Sequence, residues 1–173
     1  MYPDFTTAYS SSQHSPPVRW SRYWFSIILG LVLTLVPLPE SLTFWRPEWI
    51  AVVLYYWLLR ANHEISLGQV FGVGLLLDTA TGSLLGQHAL GLVITGFVII
   101  RIQPMMRVYP VIQQAFIVAL LLTVKLLIVL WVAGLVGRQP TAVGLFFMAA
   151  LTSLFIWPLV VMSLDRLNRL PRH

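Results

Sequence analysis

From Tyr23 to Leu164 the chain is almost unbroken apolar sequence, interrupted at intervals by Pro, Gly or a few Arg. A helix needs about 20 residues to cross a hydrocarbon core of about 30 Å at about 1.5 Å per residue, so such runs can be counted as membrane crossings. Six are predicted: Tyr23 to Leu38, Pro47 to Leu59, Ser66 to Thr81, Leu85 to Ile102, Val111 to Val136 and Ala142 to Leu164. Pro47 falls in the first turn of the second span, where a missing N–H does little harm. As a single helix, Ser66 to Ile102 would be about 55 Å long, so it must turn back, and Gly82-Ser83-Leu84-Leu85-Gly86 is the natural place. The first two spans are short and imply tilt or local thinning of the bilayer. The expected fold is all-α: a polytopic bundle of six transmembrane helices.

Loop charges give an independent test. With six spans both termini share one side, which holds Arg19, Arg22, Arg60, Arg101, Arg107, Arg166, Arg169 and Arg172. The opposite side holds Arg46 and Arg138, while Lys125 lies inside span five. Eight against two is a strong positive-inside bias and places both ends in the cytoplasm. Residues 1–18, rich in Ser, Thr, Tyr and Pro, read as a disordered cytoplasmic tail, residues 19–165 as the transmembrane domain, and residues 166–173 as a basic cytoplasmic tail.

Composition agrees: 58% of residues are hydrophobic and 10% charged, mean hydropathy is +0.81, and seven Trp suit anchoring at headgroup level. The formal charge of +5 does not point to nucleic acid, because the Arg residues are dispersed between apolar blocks. No Cys is present, which excludes disulfides, thiolate metal sites and cysteine nucleophiles. Arg19 and Arg22 followed by an apolar run resemble a signal peptide, but Pro37-Leu38-Pro39-Glu40 offers no small-x-small cleavage site, so the first span is expected to remain.

Two charges inside the spans need explanation, since an ionised side chain at mid-membrane costs about 2.5–3.5 kcal/mol even on lenient scales. Counted from the arginine-rich ends, Asp78 lies about 18 Å into span three and Lys125 about 21 Å into span five. Equal depth suggests a buried Asp78–Lys125 ion pair. The alternative is that Lys125 snorkels outward while Asp78 protonates or caps the Gly82 turn. Gly74, Asp78, Gly82 and Gly86 recur every four residues and offer a small-residue face for another helix.

Phe44-Trp45-Arg46-Pro47-Glu48-Trp49 joins the first two spans. Arg46 and Glu48 beside two Trp form either a polar anchor for a partner's periplasmic segment or part of an interfacial aromatic belt. Tyr55-Tyr56-Trp57 reads as belt, and Trp131 and Trp157 as belt or packing residues. His88 is a structural histidine or a pH-sensitive group. His63-Glu64 lacks a second His at zinc-protease spacing, Leu67 standing there, so no metal or cofactor is expected. Catalysis is unsupported: Ser83 is not in a G-x-S-x-G elbow, Asp78 has no second membrane acid to form a dyad, and no phosphate-cradling loop exists.

The ordered set Phe44, Arg46-Pro47, Trp49, Tyr56-Trp57, Gly68, Phe71, Gly74, Asp78, Gly82, Gly86 and Ala89, with Gln113-Gln114-Ala115 and Trp157-Pro158, resembles the MreD family of rod shape-determining membrane proteins of Gram-negative bacteria. The resemblance covers nearly all of the chain after Trp20. It implies a noncatalytic inner-membrane scaffold of the elongasome, supporting rod shape and lateral peptidoglycan synthesis. MreC would be the direct partner, with MreB, RodA and the elongation transpeptidase reached directly or through it. It also implies a fold like the S components of energy-coupling-factor transporters, six helices around an outward pocket. On this reading Arg46, Trp49, Tyr56, Gly74, Asp78, Gly82, Gly86 and His88 bind a partner or line the pocket. The competing function is a small-molecule-binding or transport subunit whose pocket includes Asp78 and His88.

Overall fold

The computed structural model describes residues 19–37, 45–61, 64–137 and 143–169. The expected tails, residues 1–18 and 170–173, lie outside the described residues, as do Leu38, Phe44, His63, Arg138 and Ala142. The described residues form six helices: α1 (Trp20–Leu35), α2 (Trp49–Arg60), α3 (Leu67–Thr81), α4 (Gln87–Met106), α5 (Val111–Leu135) and α6 (Val143–Arg169). Each coincides with one predicted span to within a few residues. Gln87–Met106, Val111–Leu135 and Met148–Leu167 are long and apolar enough to cross a membrane; α1, α2 and α3 are apolar but shorter, at 16, 12 and 15 residues.

The shortest helix is the centre of the bundle. Ten consecutive residues of α2, Ile50 to Leu59, are buried, including Tyr55, Tyr56 and Trp57. The expectation that these three rings form an interfacial belt is therefore corrected. They are core residues, because α2 is packed on by α1, α4, α5 and α6 and has no free face. Trp57 donates its indole N–H to Ser26 Oγ at 2.8 Å, and Tyr55 donates to Thr95 Oγ1 at 2.6 Å, so each polar tip is matched inside the core. Trp157 is also fully buried, whereas Trp131 is 65% exposed on the outer surface of α5.

Helices α3 and α4 form a tight antiparallel hairpin, and its geometry follows from its residue types. Ser66 and Gln69 close a reciprocal capping box at the start of α3. Gly82 (φ 63°) ends α3, and Gly86 (φ 94°) begins α4, both in the left-handed region that side chains with a Cβ adopt poorly. Gly74 lets the helices touch: a Cβ there would overlap the backbone of Ala89. Similarly, a Cβ on Gly91 would come within 3.0 Å of Lys125 Cγ, so α4 lies close to α5 at the level of the buried lysine.

Contacts at the chain's basic end bring together the start of α1, the ends of α2 and α4, the start of α5 and the end of α6. The other end carries the Gly82–Gly86 turn and the start of α2.

Candidate functional site

Besides the Tyr55–Thr95 and Trp57–Ser26 pairs, the described polar side chains gather in two groups at the turn end and one at the basic end. The first is built on Asp78, fully buried in the last turn of α3. Its Oδ2 accepts the Gly86 N–H at 2.8 Å, and its Oδ1 accepts the His88 N–H at 2.8 Å and the Ser83 hydroxyl at 2.9 Å. His88 Nδ1 also lies 2.8 Å from Oδ1, which selects a ring state with the proton on that nitrogen. A helix leaves its first N–H groups without partners, and its N-terminus favours negative charge. Asp78 thus serves α4 as a cap supplied by the preceding helix.

The second group corrects the expected Asp78–Lys125 pair. Lys125, fully buried in α5, places Nζ 2.5 Å from Glu48 Oε2. It does not snorkel outward either. Glu48 precedes α2, and its backbone N–H donates to Ser153 Oγ of α6 at 3.2 Å. Equal depth does not by itself name the partner. With α2 only 12 residues long, Glu48 stands about 18 Å from the basic end, level with Asp78 and close to the level of Lys125.

Arg46 donates through Nη1 to the Thr34 carbonyl and through Nη2 to the Val36 carbonyl. It thereby closes the C-terminus of α1, which has no basic residue in its last turn. The side chain expected as a partner's polar anchor is thus engaged within the chain. Trp49 is half-buried at the start of α2, beside Gly30 of α1. Tyr56, 1% exposed, donates to Asp165 Oδ1 at 2.7 Å. Of the glycines read as one contact face, Gly74 is occupied by Ala89, whereas Gly82 and Gly86 have no atom within 4 Å of an added Cβ and are required by the turn itself.

At the basic end the end of α2 is closed from outside. Gln103 Nε2 donates to the Leu58 carbonyl at 2.8 Å, and Arg107 Nε donates to the Leu59 carbonyl at 2.9 Å. Gln114 of α5 does the same for Met106, the last residue of α4, at 3.0 Å. Arg60 pairs with Asp165 of α6 at 2.8 Å, and Arg22 of α1 donates to the Leu167 carbonyl. A small cleft opens here, between Tyr56, Arg60, Arg107, Gln114 and Trp157. None of Glu48, Ser153, Gln103 or Gln114 was singled out from sequence for these contacts. The available signal was a Glu directly before a helix too short to cross the bilayer.

Among the described residues no cluster of His, Asp and Glu could hold a metal ion. No solved structure matches the chain, so the likeness to transporter S components stays an expectation from sequence. The family described as rod shape-determining protein MreD matches residues 18–166. A curated relative, the rod shape-determining protein MreD of Haemophilus influenzae (strain ATCC 51907 / DSM 11121 / KW20 / Rd), is 31% identical over 160 residues, covering 87% of this chain and 95% of that one. Together with the apolar helices and the ordered residue pattern, these matches establish that the chain belongs to the MreD family of rod shape-determining proteins.

Proposed function

We propose that this chain is a noncatalytic scaffold of the bacterial inner membrane, crossing it six times with both termini in the cytoplasm. It binds MreC and, with it, supports rod shape and lateral peptidoglycan synthesis by the elongasome. The observation that carries this reading is family membership over nearly the whole chain. The charged groups at the centre of the bundle are also consistent with a frame, since Asp78, His88, Glu48 and Lys125 are matched to one another and to helix ends.

Helices associate in lipid through close packing of small residues, and Gly74 is already taken by Ala89. The α3 face open to a partner helix is the one bearing Gly68 and Gly72, four residues apart, flanked by Phe71 and Leu76, which are 46% and 53% exposed. An added Cβ on Gly72 meets nothing within 4 Å. We therefore assign MreC's transmembrane helix to this face. Coexpression with tagged MreC and a detergent pull-down tests it. Wild-type protein should be recovered with MreC, and Gly72→Leu should be lost from the pull-down at an unchanged level in the membrane. Undiminished recovery of Gly72→Leu would exclude that face, and failure of the wild type to copurify would remove the scaffold reading. Copurification of an energy-coupling ATPase instead would favour the transport reading.

A further inference from the structure

On α4 the residues that face out of the bundle fall on one stripe: Leu90, Ile94, Phe97, Arg101 and Met105, at steps of three or four, are all exposed. Arg101 is the charged member of an otherwise apolar row. It stands about 7–8 Å short of Met106, the last residue of a helix long and apolar enough to cross a membrane. Its guanidinium turns back over the Phe97 ring, with its carbon 5.3 Å from the ring centroid. Phe97 is one turn nearer the middle of α4, so this lean takes the charge away from the closest water instead of toward it. Beyond Arg101 the surface is apolar again: Met105 is 51% exposed, and Val108, in the turn that follows α4, is 84% exposed. Other cations of the bundle are answered within the chain, Lys125 by Glu48, Arg60 by Asp165 and Arg46 by two carbonyls. Arg101 pairs with no carboxylate of the described residues, and its one ring or polar contact among them is with Phe97.

We propose that this stripe binds an anionic phospholipid, with the phosphate held by Arg101 and an acyl chain lying on Phe97, Ile94 and Leu90. The ring supplies no oxygen acceptor, so the N–H fork of Arg101 is open to a phosphodiester, which it meets with two parallel bonds. Phe97 holds the guanidinium in place, and the fork has little freedom left to lose when the anion arrives. A cation among exposed apolar side chains needs a counter-charge from its surroundings, and anionic headgroups supply one at this depth. The side chains favour lipid over a protein helix as the occupant. Helices in a membrane pack closely on small residues, whereas the stripe presents Leu, Ile, Phe and Met. It is separate from the α3 face assigned to MreC, and the inference rests on the membrane reading but not on MreC binding.

Native mass spectrometry of the full chain in detergent tests this, with phosphatidylglycerol as ligand and digalactosyldiacylglycerol as a lipid with two chains and no phosphate. The readout is the apparent affinity for the first lipid bound, and phosphatidylglycerol should be retained selectively. Arg101→Gln should bind it about fivefold more weakly, the loss expected for one arginine's attraction to an anionic headgroup. Arg101→Lys keeps the charge and should stay closer to wild type. Arg166→Gln, which removes another exposed arginine of the basic end, on α6, should bind as the wild type does. Helical circular dichroism verifies that each variant is folded. Equal retention of both lipids would overturn the site, and so would equal losses in Arg101→Gln and Arg166→Gln, which would reduce the effect to net charge. Unchanged binding by folded Arg101→Gln would also overturn it and leave Arg101 to an acidic residue of a protein partner.

Discussion

Replacing Lys125 by Met deletes a charge that is fully buried in the folded bundle and leaves Glu48 facing no cation in the same place. Breaking a buried pair by removing one member costs about 3–5 kcal/mol, because the remaining charge keeps its desolvation without compensation. The Glu48 side chain is 20% exposed, so the orphaned carboxylate is not wholly enclosed by protein and the lower end, about 3 kcal/mol, applies. Glu48→Gln should cost a similar amount: Lys125 is wholly enclosed, although the amide oxygen can still accept one bond. Removing both charges relieves both penalties, so Glu48→Gln/Lys125→Met should lie within about 2 kcal/mol of wild type, a coupling of about 4 kcal/mol or more. The assay is reversible unfolding in mixed micelles titrated with SDS, followed by tryptophan fluorescence. A double variant whose loss equals the sum of the single losses to within about 0.5 kcal/mol would refute the pair. As an internal control, Lys125→Met combined with Asp78→Asn should show a clearly smaller coupling, since Asp78 is bound to the turn and His88.

Three further outcomes follow from the same contacts. Asp78→Ala strips the α4 N-terminus of its cap and should destabilise the bundle by about 2 kcal/mol, the upper range for cap loss, with faster amide exchange at Gly86 and His88 as the local readout. Gly74→Leu drives a side chain into Ala89 and should reduce folded protein whether or not MreC is present, whereas Gly72→Ala should leave unfolding unchanged to within about 0.5 kcal/mol. Arg46→Ala should loosen the last turn of α1 by about 1 kcal/mol, seen as mobility of a spin label at Leu35 while a label at Trp24 is unaffected.

The helices were legible because lipid restricts the vocabulary: apolar runs separated by Pro, Gly and Arg mark the elements, and the Gly82–Gly86 segment marks the turn of the α3–α4 hairpin. The site was legible only in part, and for a specific reason. Depth along a helix can be counted from sequence, but depth does not name a neighbour when three charges share it. Asp78, Lys125 and Glu48 lie at similar levels, and the choice among them depends on which helices are adjacent. Gly91 brings α4 against the Lys125 backbone, and the short α2 lowers Glu48 to the lysine. Tyr55, Tyr56 and Trp57 were misread for a related reason. Aromatics at a membrane surface and aromatics in a polar-tipped core look alike along the chain, and only the central position of α2 separates them. Gly74 and Gly82 obey one four-residue spacing yet do different work, one admitting a neighbouring helix and the other supplying a left-handed φ.

The short helices explain why so many polar side chains are tolerated in so apolar a chain. A helix of 12 residues spans about 18 Å, so α2 cannot carry both its ends to water across a core of about 30 Å. Unpaired backbone groups cannot be left in hydrocarbon, and something must meet them. At four helix ends it is a side chain from another part of the chain: Arg46 at the end of α1, Gln103 and Arg107 at the end of α2, Asp78 at the start of α4, and Gln114 at its end. Each such bond satisfies a terminus and ties two elements together, so losing one frays an end and loosens a contact at once. The Glu48–Lys125 pair fits the same scheme, because it ties the start of the short central helix to the middle of a long outer one. Polar residues placed this way give the bundle a defined shape without needing long helices.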